Sequence, residues 1–84
     1  MTGQIVYSKA GRDKGSFLVA VGKAGDGILV CDGKKRPLER PKRKNPKHLS
    51  VTKTVLTEQQ ISTNKTIRRA LAIYRDEAPL KEEK

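Results

Sequence analysis

Residues 16–33 read SFLVAVGKAGDGILVCDG. Two runs rich in apolar and β-branched residues, Ser16–Ala24 and Ile28–Asp32, flank Gly25-Asp26-Gly27. Glycine reaches positive φ at no steric cost, so this tripeptide between two such runs predicts a tight antiparallel hairpin. Successive side chains of a strand point to opposite faces. Phe17, Val19 and Val21 therefore share one face, and Leu18 and Ala20 the other; Ile28 and Val30 likewise oppose Leu29 and Cys31. Both faces are apolar, whereas a sheet with one wet face alternates apolar with polar. These strands are expected to be covered on both sides, by barrel closure on one and by a later segment on the other.

Upstream, Gln4–Lys9 is a shorter β-favouring run, joined to Ser16 by Ala10–Gly15, AGRDKG. A hairpin there makes an antiparallel meander of three strands. Downstream, Lys34–His48 reads KKRPLERPKRKNPKH, with eight Lys or Arg, one Glu and three of the four prolines. Proline donates no ladder hydrogen bond, so this segment is not one central strand. An edge strand around Leu38 and a short strand around His48 to Val51 are expected instead. Thr57-Glu-Gln-Gln60 fits a capping box that could start a short helix. Thr63 or Asn64 can cap a longer one over Asn64–Arg75, where Ile67, Ala70, Leu71 and Tyr74 fall at i, i+3, i+4 and i+7. That stripe is expected to cover the meander, leaving Lys65, Arg68, Arg69 and Arg75 in water. The expected fold class is mainly β with a C-terminal α: a small five-stranded antiparallel barrel over residues 1–55, including the basic segment 34–48, a helical extension over 56–76 packed against it, and a charged flexible tail over 77–84.

A chain of 84 residues implies one small domain. Nineteen Lys and Arg against nine Asp and Glu give a formal net charge of +10. Such a surplus points to a polyanionic partner, nucleic acid or an anionic membrane. Proline keeps the basic segment from forming the amphipathic helix that a membrane surface requires. Neither a secretory leader nor a stretch near the ~20 apolar residues of a spanning helix is seen, so a cytoplasmic protein without a membrane partner is expected. Cys31 is the only cysteine and His48 the only histidine, too few for a four-ligand zinc site. No carboxylate pair with the spacing of a general acid and base is present, nor a GxSxG, HExxH or P-loop, and no acid near His48 in sequence orients it. A non-enzyme without catalytic residues, metal, cofactor or small-molecule substrate is expected.

The aromatics are Tyr7, Phe17 and Tyr74. Phe17 and Tyr74 lie on apolar stripes and read as core; Tyr7 reads as core or as a stacking platform. Stacking contributes about 1–3 kcal/mol per base, and three aromatics offer little of it. Phosphate contacts therefore dominate, which favours a structured, partly double-stranded RNA read by shape. Lys34, Lys35, Arg36, Arg40, Lys42, Arg43, Lys44 and Lys47 form the electrostatic footprint, stiffened by Pro37, Pro41 and Pro46. In AGRDKG, Arg12 and Lys14 project from a glycine-bracketed bend. By spacing alone it is either a phosphate site or a plain turn in which Asp13 bonds its own backbone.

The stretch QIVYSKAGRDKGSFLVAVGKAGDGILVCDGK, residues 4–34, resembles the KOW motif, with Gly15 as the hallmark glycine. AGRDKG, GILVCDG and NPKHLSVT occur in that order, which is similar to the KOW-containing large-subunit ribosomal proteins of archaea and eukaryotes over Gln4–Thr52. The end STNKTIRRALAIY resembles the tail of small bacterial KOW-containing proteins. The resemblance implies an SH3-like barrel that binds ribosomal RNA or ribosomal particles. It puts Lys9, Arg12, Lys14, Lys42, Arg43, Lys44 and Lys47 at RNA-contacting positions and tips the AGRDKG loop toward RNA contact. A monomer is expected. The alternative is a protein-interaction module that grips an acidic partner of the translation or transcription machinery. SH3-like barrels also bind peptides, but through grooves richer in aromatics than this chain allows.

Overall fold

The computed structural model describes residues 2–77. Five antiparallel strands, β1 (Gln4–Ser8), β2 (Phe17–Ala24), β3 (Gly27–Cys31), β4 (Lys42–Lys44) and β5 (Leu49–Val55), form one open sheet in the order β4-β3-β2-β1-β5. A 3₁₀ turn, Pro46–His48, leads into β5, and one helix, α1 (Asn64–Glu77), follows. The meander β1–β2–β3 has the expected hairpins, with Ala24 paired to Gly27 across Gly25-Asp26. The register pairs Ile5 with Val19 and Val19 with Cys31 on one face, and Val6 with Leu18 and Ala20 with Val30 on the other.

Both faces are buried, as the alternation predicts. On one, Val6, Leu18, Ala20, Ile28, Val30 and Leu49 form a cluster. On the other, Ile5, Val19, Cys31 and Leu56 meet Ile67, Ala70, Leu71 and Tyr74 of α1. The first cluster is enclosed by curvature. Neighbouring strands lie about 4.8 Å apart, so in a flat sheet β4 would stand roughly 14 Å from β1. Yet Lys44 Nζ on β4 donates to Ser8 Oγ on β1 at 3.0 Å. The long lysine stem spans part of that distance and bending of the sheet the rest, which draws the β4 edge toward β1.

The basic segment differs from expectation. Its edge strand is Lys42–Lys44, and Leu38 lies in a turn closed by the Arg40 N–H to Pro37 C=O bond of 2.9 Å. The side chain of Leu38 packs against the α1 cluster, and its N–H donates to Asn64 Oδ1 at 2.7 Å. A half-buried apolar residue between prolines is thus used as an anchor under the helix, while the consecutive basic residues pair with β3. The Thr57–Gln60 capping box forms reciprocally: Thr57 N–H donates to Gln60 Oε1 at 2.9 Å and Gln60 N–H to Thr57 Oγ1 at 3.2 Å. It closes a turn and starts no helix. Thr63 caps α1, its Oγ1 accepting from Thr66 N–H at 3.1 Å. Glu77, expected at the start of the tail, belongs to α1. The rest of the expected tail, 78–84, lies outside the described residues.

Cys31 sits at the centre of the helix-covered face, fully buried. Burial, and secondarily the negative charge of Asp32, push its thiol up to about 11. The protonated thiol contributes stability in full below the ordinary value of 9.0, and that share is lost as pH rises through about 11. Iodoacetamide at pH 8 is expected to leave Cys31 unmodified in the native protein and to label it fully in denaturant. Equal labelling rates in the two states would show that the helix does not cover it.

Candidate nucleic-acid interface

The loop between β1 and β2 is tied at its base. Gly15 N–H donates to Ser8 C=O at 2.8 Å, Ser16 N–H to Asp13 C=O at 2.9 Å, and Lys14 N–H to Gly11 C=O at 3.1 Å. Gly15 has φ +88°, a conformation that side chains disfavour, so a glycine is needed where the loop rejoins β2. This tight path turns the Asp13 side chain inward, where it is only 11% exposed.

Asp13 is a hub for the basic segment. Its Oδ2 lies 3.3 Å from Lys42 Nζ, 3.8 Å from Arg36 Nη2 and 3.9 Å from Lys44 Nζ. None of these contacts has hydrogen-bond geometry: Asp13 Oδ2 and Arg36 Nε are buried without a hydrogen-bond partner. The attraction is electrostatic, one carboxylate shared among three cations. The plain-turn reading, with the Asp13 carboxylate bonded to its own backbone, is replaced by this long-range role.

Four expected contact residues depart from that role: one is excluded and three change character. Lys44 is 6% exposed; its Nζ donates to Ser8 Oγ at 3.0 Å and to the Ala10 carbonyl at 2.9 Å. It faces inward as a clamp between β4 and β1 and is unavailable to a phosphate, because a buried ammonium needs its partners. Arg36 and Lys42 are about one-third exposed and already share Asp13. Arg43 is exposed, but its stem lies over Gly27 and its Nε donates to Ala24 C=O at 2.9 Å. That places it at the β2–β3 turn, the far end of β2 from the AGRDKG loop.

The remaining predicted residues are exposed: Lys9, Arg12, Lys14, Lys34, Lys35, Arg40 and Lys47. None of them makes an ion pair with another described residue. Lys9 N–H donates to His48 C=O at 2.8 Å, which sets the 3₁₀ turn carrying Lys47 beside the loop carrying Arg12 and Lys14. Asp32 Oδ1 accepts from the N–H groups of Lys34 and Arg36, at 2.8 and 2.9 Å, and shapes the turn that presents Lys34. Near Arg40, Asn64 Nδ2 donates to Glu39 Oε1 at 3.0 Å, and this bond holds the Glu39 carboxyl below its usual range. His48 is exposed, and among the described residues no three His, Cys, Asp or Glu gather as metal ligands. No helix of the described residues is long and apolar enough to cross a membrane.

A second basic feature was not legible as a site in the sequence. A cleft of about 590 Å³ runs between α1 and the start of β2. Lys34, Lys65, Arg68, Arg69 and Arg75 line it, with Phe17, Leu71 and Ala72 as apolar surface and Asp32 as the carboxylate. The helical cations do have a pattern, since Lys65, Arg68, Arg69, Ala72 and Arg75 recur at helical spacing. What the pattern lacks is the opposing wall: only docking of α1 sets these residues across from Gly15, Ser16 and Phe17. Phe17 is fixed there by Tyr7 and Tyr74, both with ring centroids 5.1 Å away. Tyr7, at 36% exposure, caps this aromatic row at the surface.

No protein-family model matches the chain, and no curated protein is significantly similar to it.

Proposed function

We propose that this chain is a non-catalytic, phosphate-directed RNA-binding protein of the SH3-like KOW type, cytoplasmic and ribosome-associated, with structured ribosomal RNA as its target. One observation carries the reading. The Asp13 hub gathers part of the basic segment onto the AGRDKG loop, yet Lys9, Arg12, Lys14 and Lys47 around it remain exposed and without a described anionic partner. A cluster of unpaired cations on a rigid support has a high potential and gains by releasing counterions from a polyanion. The strand order with its curled sheet is compatible with an SH3-like barrel, and Gly15 at positive φ suits the hallmark glycine of the KOW motif.

The test is binding of a structured RNA hairpin across salt concentrations. With about five phosphates neutralised, log K is expected to fall against log salt with a slope of roughly −4. The triple variant Arg12→Gln, Lys14→Gln, Lys47→Gln is expected to reduce that slope by about 2–3 while leaving the melting temperature unchanged. A flat salt response, or an unaltered slope in the variant, would overturn the proposal.

A further inference from the structure

We propose that the cleft between α1 and the start of β2 is a subsite for a single unpaired nucleotide of the bound RNA. The inference deepens the RNA-binding reading and rests on it. The volume of about 590 Å³ falls in the range of small-ligand pockets, about 300–1,000 Å³, which suits one extruded nucleotide and not a duplex segment.

The lining has the two parts that an unpaired nucleotide uses. Lys34, Lys65, Arg68, Arg69 and Arg75 are five exposed cations facing one carboxylate, Asp32, whose Oδ1 already accepts two backbone N–H bonds. They supply the charge for the phosphates on either side of the nucleotide. Phe17 offers an aromatic surface, and its contacts with Tyr7 and Tyr74, tilted 59° and 76°, hold the ring in place before a base arrives. Gly33 is part of the construction: a Cβ there would press on the Arg68 Cγ and the Asn64 carbonyl, so its lack of a side chain lets the stem of Arg68 lie against the sheet. The cleft also opens directly beside Gly15 and Ser16 at the end of the AGRDKG loop. An RNA whose paired phosphates contact Arg12 and Lys14 can thus deliver an adjacent bulged nucleotide to Phe17. An acidic peptide would use the cations but gain little from the aromatic wall, which favours the nucleotide.

Three hairpins test this: one fully paired, one with a single bulged nucleotide, and one with an abasic residue at the bulge. The full chain is expected to bind the bulged hairpin about tenfold more tightly than the paired one, the order expected for stacking one base. The abasic hairpin is expected to lose most of that preference. The exposed-residue variant Arg69→Gln/Arg75→Gln is expected to weaken binding of the bulged hairpin more than that of the paired one. Phe17→Leu, where it stays folded, is expected to remove the preference and keep the salt slope. Equal affinities for all three hairpins, with salt dependence intact, would overturn the subsite and leave the RNA reading standing. Absence of salt-dependent binding to any hairpin would overturn both. A decaglutamate peptide that binds as tightly as the bulged hairpin, and loses that affinity in Arg69→Gln/Arg75→Gln, would assign the cleft to an acidic protein segment and overturn the proposal.

Discussion

Leu71→Ala is expected to destabilise the domain by about 2–5 kcal/mol. Leu71 is 1% exposed and sits on the α1 stripe that closes one face of the sheet, in the same cluster as Ile5, Val19, Cys31 and Tyr74. Removing its branched end forfeits transfer energy and leaves a cavity between helix and strands that the rigid sheet cannot fill. A domain of this size has only about 3–5 kcal/mol from its core, so much of the population would unfold at room temperature. The contrast on the same helix is Ile73, 53% exposed, where Ile73→Ala is expected to change stability by about 0.5 kcal/mol or less. Urea unfolding of the two variants separates the cases. Equal midpoints would mean that α1 is not docked, and the cleft between α1 and β2 would go with it.

Asp13→Ala is expected to cost about 2–4 kcal/mol, somewhat below the value for breaking a fully buried pair because Arg36 and Lys42 are each about one-third exposed. The carboxylate is the only anion within 4.0 Å of Lys44 Nζ among the described residues, and that ammonium is held inside by Ser8 Oγ and the Ala10 carbonyl. Without Asp13, two neutral acceptors must support a buried charge, and Arg36 and Lys42 repel each other across the vacated site. A second substitution, Lys44→Met, is expected to recover part of the loss in the Asp13→Ala background, since the stranded charge is then gone. The RNA readout is informative because net charge and loop order predict opposite signs. Deleting an anion raises the positive potential, whereas freeing the loop and basic segment raises the ordering cost of binding. Under the scaffold role of Asp13, affinity falls despite the added charge. A variant with unchanged stability and higher affinity would reduce Asp13 to an unfavourable neighbour of the phosphates.

The role of Asp13 is not encoded in its local sequence. Arg12 and Lys14 are recognisable as basic loop residues from their glycine brackets, but nothing local in AGRDKG says that the acid between them serves residues more than twenty positions later. Within Lys34–His48 the charges look equivalent. The fold sorts them into a buried clamp at Lys44, half-buried partners of Asp13 at Arg36 and Lys42, a brace over the β2–β3 turn at Arg43, and exposed cations elsewhere. Strand β4 is illegible in the sequence for the same reason. Its residues Lys42-Arg-Lys44 have no apolar alternation, and their strand character comes from pairing with Ile28, Leu29 and Val30.

The sequence by itself determined the meander, its two apolar faces and the helix that covers one of them. These follow from local rules: alternation at period 2, glycines at tight turns, and an apolar stripe at helical spacing. It also determined the charge surplus, which depends only on composition. Tertiary structure alone decided which cations face solvent, which carboxylate gathers the others, and that the helix's basic flank lies opposite Phe17 across a cleft. Those properties depend on distances between elements far apart in the chain, set by the curl of the sheet and the docking of α1, and no short stretch of residues encodes them.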